Sequence, residues 1–530
     1  MKLSNRSLIC QSMFGAVLLA TGVVQAQNQA PAAQQAPYHV APTPYQNSGP
    51  IGCVGCPANG AARRAPVQAG GQAPAAPGGA AAPQRVGPPQ NLANPLPYDL
   101  LLQNGHVIDA KNNIDKVTDV AIKDGKIAAV GDHLNAKDAA KAIDVNGYIV
   151  TPGLVDIHMH VYPATAEWLG RSSDEPAQSG EIPITPRMSW HTLWPDGFTF
   201  RSGVTTVVSA GDSGWRNFED FKEHVIDRSQ TRVLAMLNIV GAGMRGGRYE
   251  DNLADMNGEA TGYMAQRYPG IIVGIKSAHY TGPEWTQYIE SVKAGNMANI
   301  PVMIDYGSNR IERPLYQLLT KYLRPGDIYT HMYSGLRGEQ DPHTLKPQAG
   351  LIEGRQRGVW FDAGTGNGSF RFRVTVPLLK EGFLPDSLST DLHIESMNSS
   401  TKDMLNVMSK FMAMGLTLQE VVEESTWHPA REIKQEQLGH LSIGAIADVA
   451  VLSEQHGNYG FLDMDNLKMM GDTRLVCQLT VHNGRIVYDL NGISMDLWNQ
   501  PASSDPQTAA TWTVYTPRPA LPEQLTPTQK

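Results

Sequence analysis

Between Thr151 and Gln437 the chain alternates short apolar runs with stretches of helical spacing. This is the pattern of a parallel α/β domain whose strands are buried on both faces. Strands are predicted at Leu154–Val161, Gly203–Ser209, Arg232–Val240, Ile271–Ser277, Ile300–Tyr306, Asp327–Tyr333, Gly358–Ala363 and Leu388–His393. Their starts are mostly about thirty to forty residues apart, with a longer gap after the first. Eight such units suit a closed (β/α)8, TIM-like barrel, and a doubly wound open sheet is the alternative.

On both sides of this region the pattern becomes β-rich. Asp99–Asp109 and Asp119–Gly131 carry Asn104-Gly105 and Asp124-Gly125 at their centres, dipeptides that favour two-residue hairpin turns. The same pattern returns in Ala447–Leu452 and in Leu479–Tyr488 around Asn483-Gly484. The segments 98–150 and 438–495 are therefore expected to pair into one small β-sandwich, with the barrel, 151–437, inserted between its halves.

The first residues read differently. Lys2 and Arg6 precede an apolar run from Leu8 to Val24 and then Val24-Gln25-Ala26, which fits a secretory signal (1–26) cut after Ala26. A retained anchor helix is the other reading, although Gln11 and Ser12 interrupt the run, and no later stretch is long enough to span a bilayer. Residues 27–97, dominated by Ala, Pro, Gln and Gly, lack the apolar surface to order themselves and read as a linker. Secretion or export to a periplasm is the expected localisation. Cys53 and Cys56 then read as a small disulfide or an accessible redox pair, and Cys477 as a buried apolar residue. Residues 496–530 form a C-terminal tail.

At 530 residues and a net charge of −8 without a Lys/Arg-rich run, the chain has no nucleic-acid footprint. Its chemistry concentrates instead at predicted strand ends, where a barrel carries its reactive groups. His158 and His160 end the first strand, Lys276 the fourth, Asp305 the fifth, His331 the sixth and Asp391 the eighth. Charged side chains late in apolar runs are costly unless paired or bound to metal. His279 and Tyr280, just past Lys276, could line a substrate pocket, as could His393. Arg310, Arg313 and Arg337, on loops after strands five and six, could clamp a carboxylate. Gly364–Ser369 is rich enough in glycine to bring backbone amides close to a ligand, and Ala164–Gly197 is long enough for a lid or an interface loop.

Pro152–His160 (Pro-Gly-Leu-Val-Asp-Ile-His-Met-His) resembles the opening signature of the amidohydrolase superfamily. Gly274–Lys276, Thr330-His331, Leu388–His393 and the closing His428-Pro429-Ala430 with Gly444–Asp448 resemble its deacetylase-like branch, related to dihydroorotases and N-acyl-amino-acid hydrolases. The resemblance runs from Tyr98 to Leu490. It implies two divalent metal ions, zinc or manganese, with His158, His160 and Asp391 on one and His331 on the other. Lys276, carboxylated by carbon dioxide to a carbamate, would bridge them, and Asp391 would be the catalytic acid and base. Asp305 stands where many relatives have His, and Thr365 where some do. Asp305 would be a carboxylate ligand to the second ion, or an ion-pair partner.

The expected function is hydrolysis of a small acylated molecule, an amide such as an N-acyl amino acid or an acetyl ester. A cyclic-amide hydrolase of dihydroorotase or hydantoinase type and a noncatalytic metal- or solute-binding barrel are the alternatives. A homo-oligomer is possible; nucleic acid, and a membrane span after signal cleavage, are not expected.

Overall fold

The structure, a computed structural model, describes residues 95–162, 192–245, 249–307 and 309–499. The signal segment, almost all of the linker with Cys53 and Cys56, residues 164–191 of the expected lid, and nearly all of the tail lie outside the described residues.

The first described strand, β1 (Tyr98–Asp109), pairs antiparallel with β2 (Ile114–Lys123), which returns as β3 (Lys126–Gly131). Asp124 and Gly125 make the turn at φ 50° and 75°, as a two-residue hairpin of this twist requires. Asn104-Gly105 does not turn the chain. It lies inside β1 as a register irregularity, where Asn104 donates its backbone N–H to Asp119 at 2.8 Å and a Cβ on Gly105 would meet Val150 at 2.4 Å. A glycine in a strand here marks a bulge and a close neighbour. The strands β4 (Ala139–Asp144) and β5 (Ile149–Pro152) run parallel to β1.

The chain then enters a seven-stranded sheet, β6 (Leu154–Met159), β7 (Val204–Gly214), β8 (Arg232–Asn238), β9 (Ile272–Ser277), β10 (Val302–Ile304), β11 (Ile328–Thr330) and β12 (Trp360–Asp362). All neighbours are parallel and follow sequence order. Helices such as Gly258–Arg267, Thr286–Ala298 and Ala349–Gln356 fall between successive strands. The main core joins strand residues to these helices, and a smaller cluster draws almost wholly on strand residues, among them Val155, Ile157, Val208, Met236, Val273 and Met303. The strands thus have a helix-facing side and an inner side.

The expected eighth strand is not a regular strand. Single parallel bridges tie Ser387 to Asp362 on β12 and Leu392 to Met159 on β6, so this segment touches both edges of the curled sheet. Side chains replace its ladder: Thr390 gives its backbone N–H (3.1 Å) and hydroxyl (2.5 Å) to Asp156, and Ser387 and Ser389 give their hydroxyls to Asp362.

After it, β13 (Val449–Leu462) pairs antiparallel with β5, followed by β14 (Lys468–His482) and β15 (Arg485–Asp489), the last pair joined through Asn483-Gly484. The two terminal halves are thereby hydrogen-bonded into one eight-stranded sheet rather than separate layers, because β5 uses one edge for β1 and the other for β13. Leu102, Val107, Val120, Val449, Val451 and Val481 form its core. Cys477 of β14 is buried in the main core instead, as a free thiol, and burial pushes its pKa up to about 12. Among the described residues no helix is long and apolar enough to cross a membrane.

Candidate active site

Two β-bulges bring the first candidate residues inward. Asp156 pairs with Val207 and Met159 with Ser209, so β6 takes three steps where β7 takes two. Val155 and Ile157 join the inner cluster, and the extra residue lets His158 and His160 follow on the same side. On β9 a second extra residue between Ile272 and Gly274 does the same for Val273 and Lys276. His279, His331 and Asp391, beyond their strands, hold left-handed backbones at φ 56°, 63° and 48°. Such strain, about 1–3 kcal/mol each, persists where surrounding bonds over-determine the conformation.

These side chains meet in a cavity of about 440 Å³. Each imidazole is oriented from behind. His331 Nδ1 lies 2.6 Å from the Gly364 carbonyl oxygen, which can only accept. His160 Nδ1 donates to Asp212 at 2.6 Å, and Asp212 is itself fixed by Ser209 and the backbone N–H groups of Val161 and Tyr162. His158 Nδ1 donates to the Thr330 hydroxyl at 3.1 Å, since that hydroxyl gives its own proton to Asp362 at 2.6 Å. With Nδ1 of each ring turned to an acceptor behind it, Nε2 of each faces the cavity, which is how metal-binding histidines are held.

Facing them, Asp391 Oδ1 lies 2.9 Å from His160 Nε2 and 3.6 Å from His158 Nε2. Donor atoms of His158, His331 and Asp391 all fall within 4.8 Å of one another. The donor set fits a divalent cation: imidazole nitrogens and carboxylate, with outward hydrogen bonds behind them. Burial, aided by the Lys276 charge, pushes His158 down to about 3, keeping it neutral. At His160, burial is outweighed by Asp212 and Asp391, which raise its pKa to about 9; the pocket is anionic enough to favour a cation.

Lys276 is fully buried, with Nζ 2.9 Å from His158 Nε2. Among the described residues no carboxylate forms an ion pair with it, and burial lowers its pKa against the pull of Asp305, Asp391 and Asp362. Asp305 divides its oxygens. Oδ1 accepts from Arg337 at 2.7 Å, while Oδ2 faces His331 at 3.5 Å and His279 at 3.1 Å. His279 Nδ1 meets Glu250 at 2.9 Å.

His279 and His393 line the cavity, as do Asn367, Gly368 and Ser369 of the glycine-rich loop. Tyr280 and Arg310 do not. The Tyr280 ring is buried beneath Arg313 with its hydroxyl on Glu284, and Arg310 is exposed and turned to the Thr281 carbonyl. A loop position after a strand end did not fix which way those side chains turn. Arg313 is buried against Tyr280, Tyr288 and Tyr306 and holds the carbonyls of Tyr280 and Gly282. Thr365 bonds the Thr390 carbonyl and does not line the cavity. Sequence reasoning missed Asp212, Asp362, Glu250 and Arg245. Asp362 carried a usable signal, an acid late in an apolar run; Asp212 lay past the predicted end of its strand.

The chain is 32% identical to a deacetylase of Agrobacterium fabrum over 376 residues, covering 68% of this chain and 85% of that protein. It belongs to the amidohydrolase superfamily. A deacetylase of Brucella anthropi is 31% identical over 350 residues, 64% of this chain and 79% of that protein. Among solved structures, an adenine deaminase superposes with a TM-score of 0.65 at 27% identity, covering 74% of this chain and 100% of that one. A dihydroorotase does so at 0.59 and 26%, covering 74% and 99%. No family model matches the chain. As a member of this superfamily the protein is an enzyme, a hydrolase acting on carbon–nitrogen bonds.

Proposed function

We propose that the protein is a metal-dependent hydrolase that removes the acyl group from a small amide or acetyl ester, such as an N-acyl amino acid. The observation that carries this reading is the set of three imidazoles, His158, His160 and His331, each held through Nδ1 so that Nε2 faces the cavity shared with Asp391 and Lys276. The reading takes the curled sheet together with residues 387–392 as an eight-stranded barrel carrying the site at its strand ends.

His158, His160 and Asp391 would hold one divalent ion, zinc or manganese, and His331 with Asp305 a second, with Lys276 between them. When bound, such ions supply a Lewis acid that lowers the pKa of water and polarises the acyl carbonyl. The neutral amine of Lys276 adds to carbon dioxide, forming a nitrogen–carbon bond and releasing one proton, and the side chain becomes an anionic carbamate. Burial supports this by disfavouring the ammonium. Asp391 takes a proton from the attacking water and returns it to the leaving nitrogen or oxygen as the acyl bond breaks. Asp212 and Asp362, behind His160 and His158, keep those rings in the required tautomer. Lys2, Arg6 and the apolar run to Val24 support a location outside the cytoplasm.

The test combines elemental analysis with an assay of the protein purified in bicarbonate buffer. About two ions per chain, hydrolysis of N-acetyl amino acids that chelation abolishes, and a turnover loss of about 10²–10⁴-fold in Asp391→Asn with metal retained are expected. Opening of hydantoin or dihydropyrimidine rings without cleavage of acyl substrates would overturn it in favour of a cyclic-amide hydrolase. Bound metal with turnover of neither class would leave a binding barrel.

A further inference from the structure

Hydroxyl groups converge on Asp362, the carboxylate behind His158. Its Oδ2 accepts from Thr330 at 2.6 Å and from Ser389 at 2.7 Å, and its Oδ1 accepts from Ser387 at 2.8 Å. Thr330 in turn accepts from His158 Nδ1 at 3.1 Å. The same Ser387 hydroxyl lies 3.2 Å from Glu432 Oε2. Glu432 closes the helix Trp427–Glu432 and is only 1% exposed, and among the described residues its Oε1 has no hydrogen-bond partner. A continuous chain of contacts therefore leads from the His158 ring through Thr330, Asp362 and Ser387 to a buried carboxyl that no step of the hydrolysis uses.

A serine hydroxyl has one proton, and here two acids lie within its reach. Both contacts are satisfied only if one acid keeps its own proton and donates it to the serine oxygen. Asp362 is the anion of the two, because the hydroxyls of Thr330, Ser387 and Ser389 all turn to it, whereas Glu432 meets Ser387 alone among the described residues. An ionised Glu432 would bury one oxygen without a donor and face a second carboxylate across a single hydroxyl. Burial and the charges of Asp362 and Asp386 hold the Glu432 carboxyl well above the usual carboxylate range, against the Ser387 bond and the pull of Arg431.

We propose that Glu432 is a positioning residue kept as a neutral acid. Its proton goes to Ser387 and that of Ser387 to Asp362, so Asp362 stays the single anion on which the chain converges, and one arm of that chain orients His158. In a low-dielectric interior each hydrogen bond polarises the next, so a donor at one end of the chain is felt at the other. The effect on metal binding rests on the hydrolase reading above; the proton on Glu432 does not.

The test uses the full chain as wild type, as Glu432→Gln, which keeps a donor to Ser387, and as Glu432→Leu, which does not. An ordinary glutamate is fully ionised at about pH 8. The infrared difference between wild type and Glu432→Gln at that pH is expected to show the carbonyl stretch of a protonated acid in the wild type alone, and its absence overturns the assignment. Zinc affinity against a competing chelator is expected to fall about two- to tenfold in Glu432→Leu, the size of one neutral hydrogen bond, and to be retained in Glu432→Gln. Equal affinity in all three proteins, or an equal loss in both variants, overturns the positioning role while the hydrolase reading stands. If the wild type binds no zinc, the hydrolase reading fails. The nitrogen NMR resonances of the His158 ring, assigned by their loss in His158→Gln, then decide for Glu432. Resonances moved in Glu432→Leu and unmoved in Glu432→Gln support it; resonances unmoved in both, or moved alike, overturn it. Glu432→Met carries the comparison if Glu432→Leu does not fold.

Discussion

Replacing Gly366 by alanine tests the site through a single methyl group. A Cβ there would sit 2.1 Å from Asp391 Oδ2 and 3.1 Å from its Cγ. The backbone cannot retreat easily, because Gly366 N–H donates to the Thr390 carbonyl at 2.9 Å and the Gly366 carbonyl accepts from Thr401 at 2.8 Å. Asp391 must therefore give way by about 1 Å, a displacement that costs on the order of 100-fold in rate when it affects a reacting group, or about 2.7 kcal/mol. Gly366 also holds φ 49°, which adds about 1–2 kcal/mol of backbone strain to an alanine. Gly382→Ala separates the two effects, since Gly382 has φ 77° and nothing within 4 Å of its would-be Cβ. Both variants should lose a few degrees of Tm. Only Gly366→Ala should lose about two orders of magnitude in kcat, measured on an N-acetyl amino acid at saturating metal. If Gly366→Ala keeps kcat within about threefold while its Tm falls as far as that of Gly382→Ala, then Asp391 is not the group the reaction depends on.

Other perturbations read other parts of the molecule. Asp212→Asn removes the carboxylate that orients His160, and metal affinity measured against a competing chelator should fall about ten- to a hundred-fold; an unchanged affinity would remove His160 from the ligand set. Arg337→Met leaves Asp305 buried without its 2.7 Å partner and should cost about 3–5 kcal/mol of stability, partly recovered when Asp305→Asn is added; additive losses in the double variant would show that the pair is not coupled. Lys410, buried beside Phe370, has its pKa lowered by burial to about 7 against the opposing pull of Asp463. Below about pH 7 the lysine is charged in both folded and unfolded chains and the penalty is full. Between about 7 and 10.5 the unfolded chain binds the extra proton, so stability rises with pH by up to about 1.4 kcal/mol per unit. The Tm of wild type should therefore gain on that of Lys410→Met between pH 7 and 9, and parallel curves would refute it.

The residues most legible beforehand were those whose position along a strand fixes their role. His158, Lys276, His331 and Asp391 end apolar runs, and all four line the cavity. Asp124-Gly125 and Asn483-Gly484 turn their hairpins because two consecutive left-handed residues suit that turn and little else. Asn104-Gly105 carries the same local signal but bulges, because β1 continues past it to pair with Ile114–Thr118 of β2. Strand pairing outweighed the turn propensity.

What the sequence determined by itself is the set of chemical groups and their order: which strand ends carry imidazole, amine or carboxylate, and that parallel strands alternate with helices. Local alternation along a strand encodes this much, because each apolar run must be buried wherever it goes. Which face those groups present was decided only in the tertiary structure, since an extra residue in β6 and another in β9 shift the alternation and bring His158 and Lys276 to the inner side. The same holds for the supports. Asp212 reaches His160 from the next strand, Asp362 reaches His158 from the far edge of the sheet, and Arg245 comes to the cavity wall from a loop. Such pairings depend on how the sheet curls, a long-range outcome of packing that no short stretch of sequence specifies.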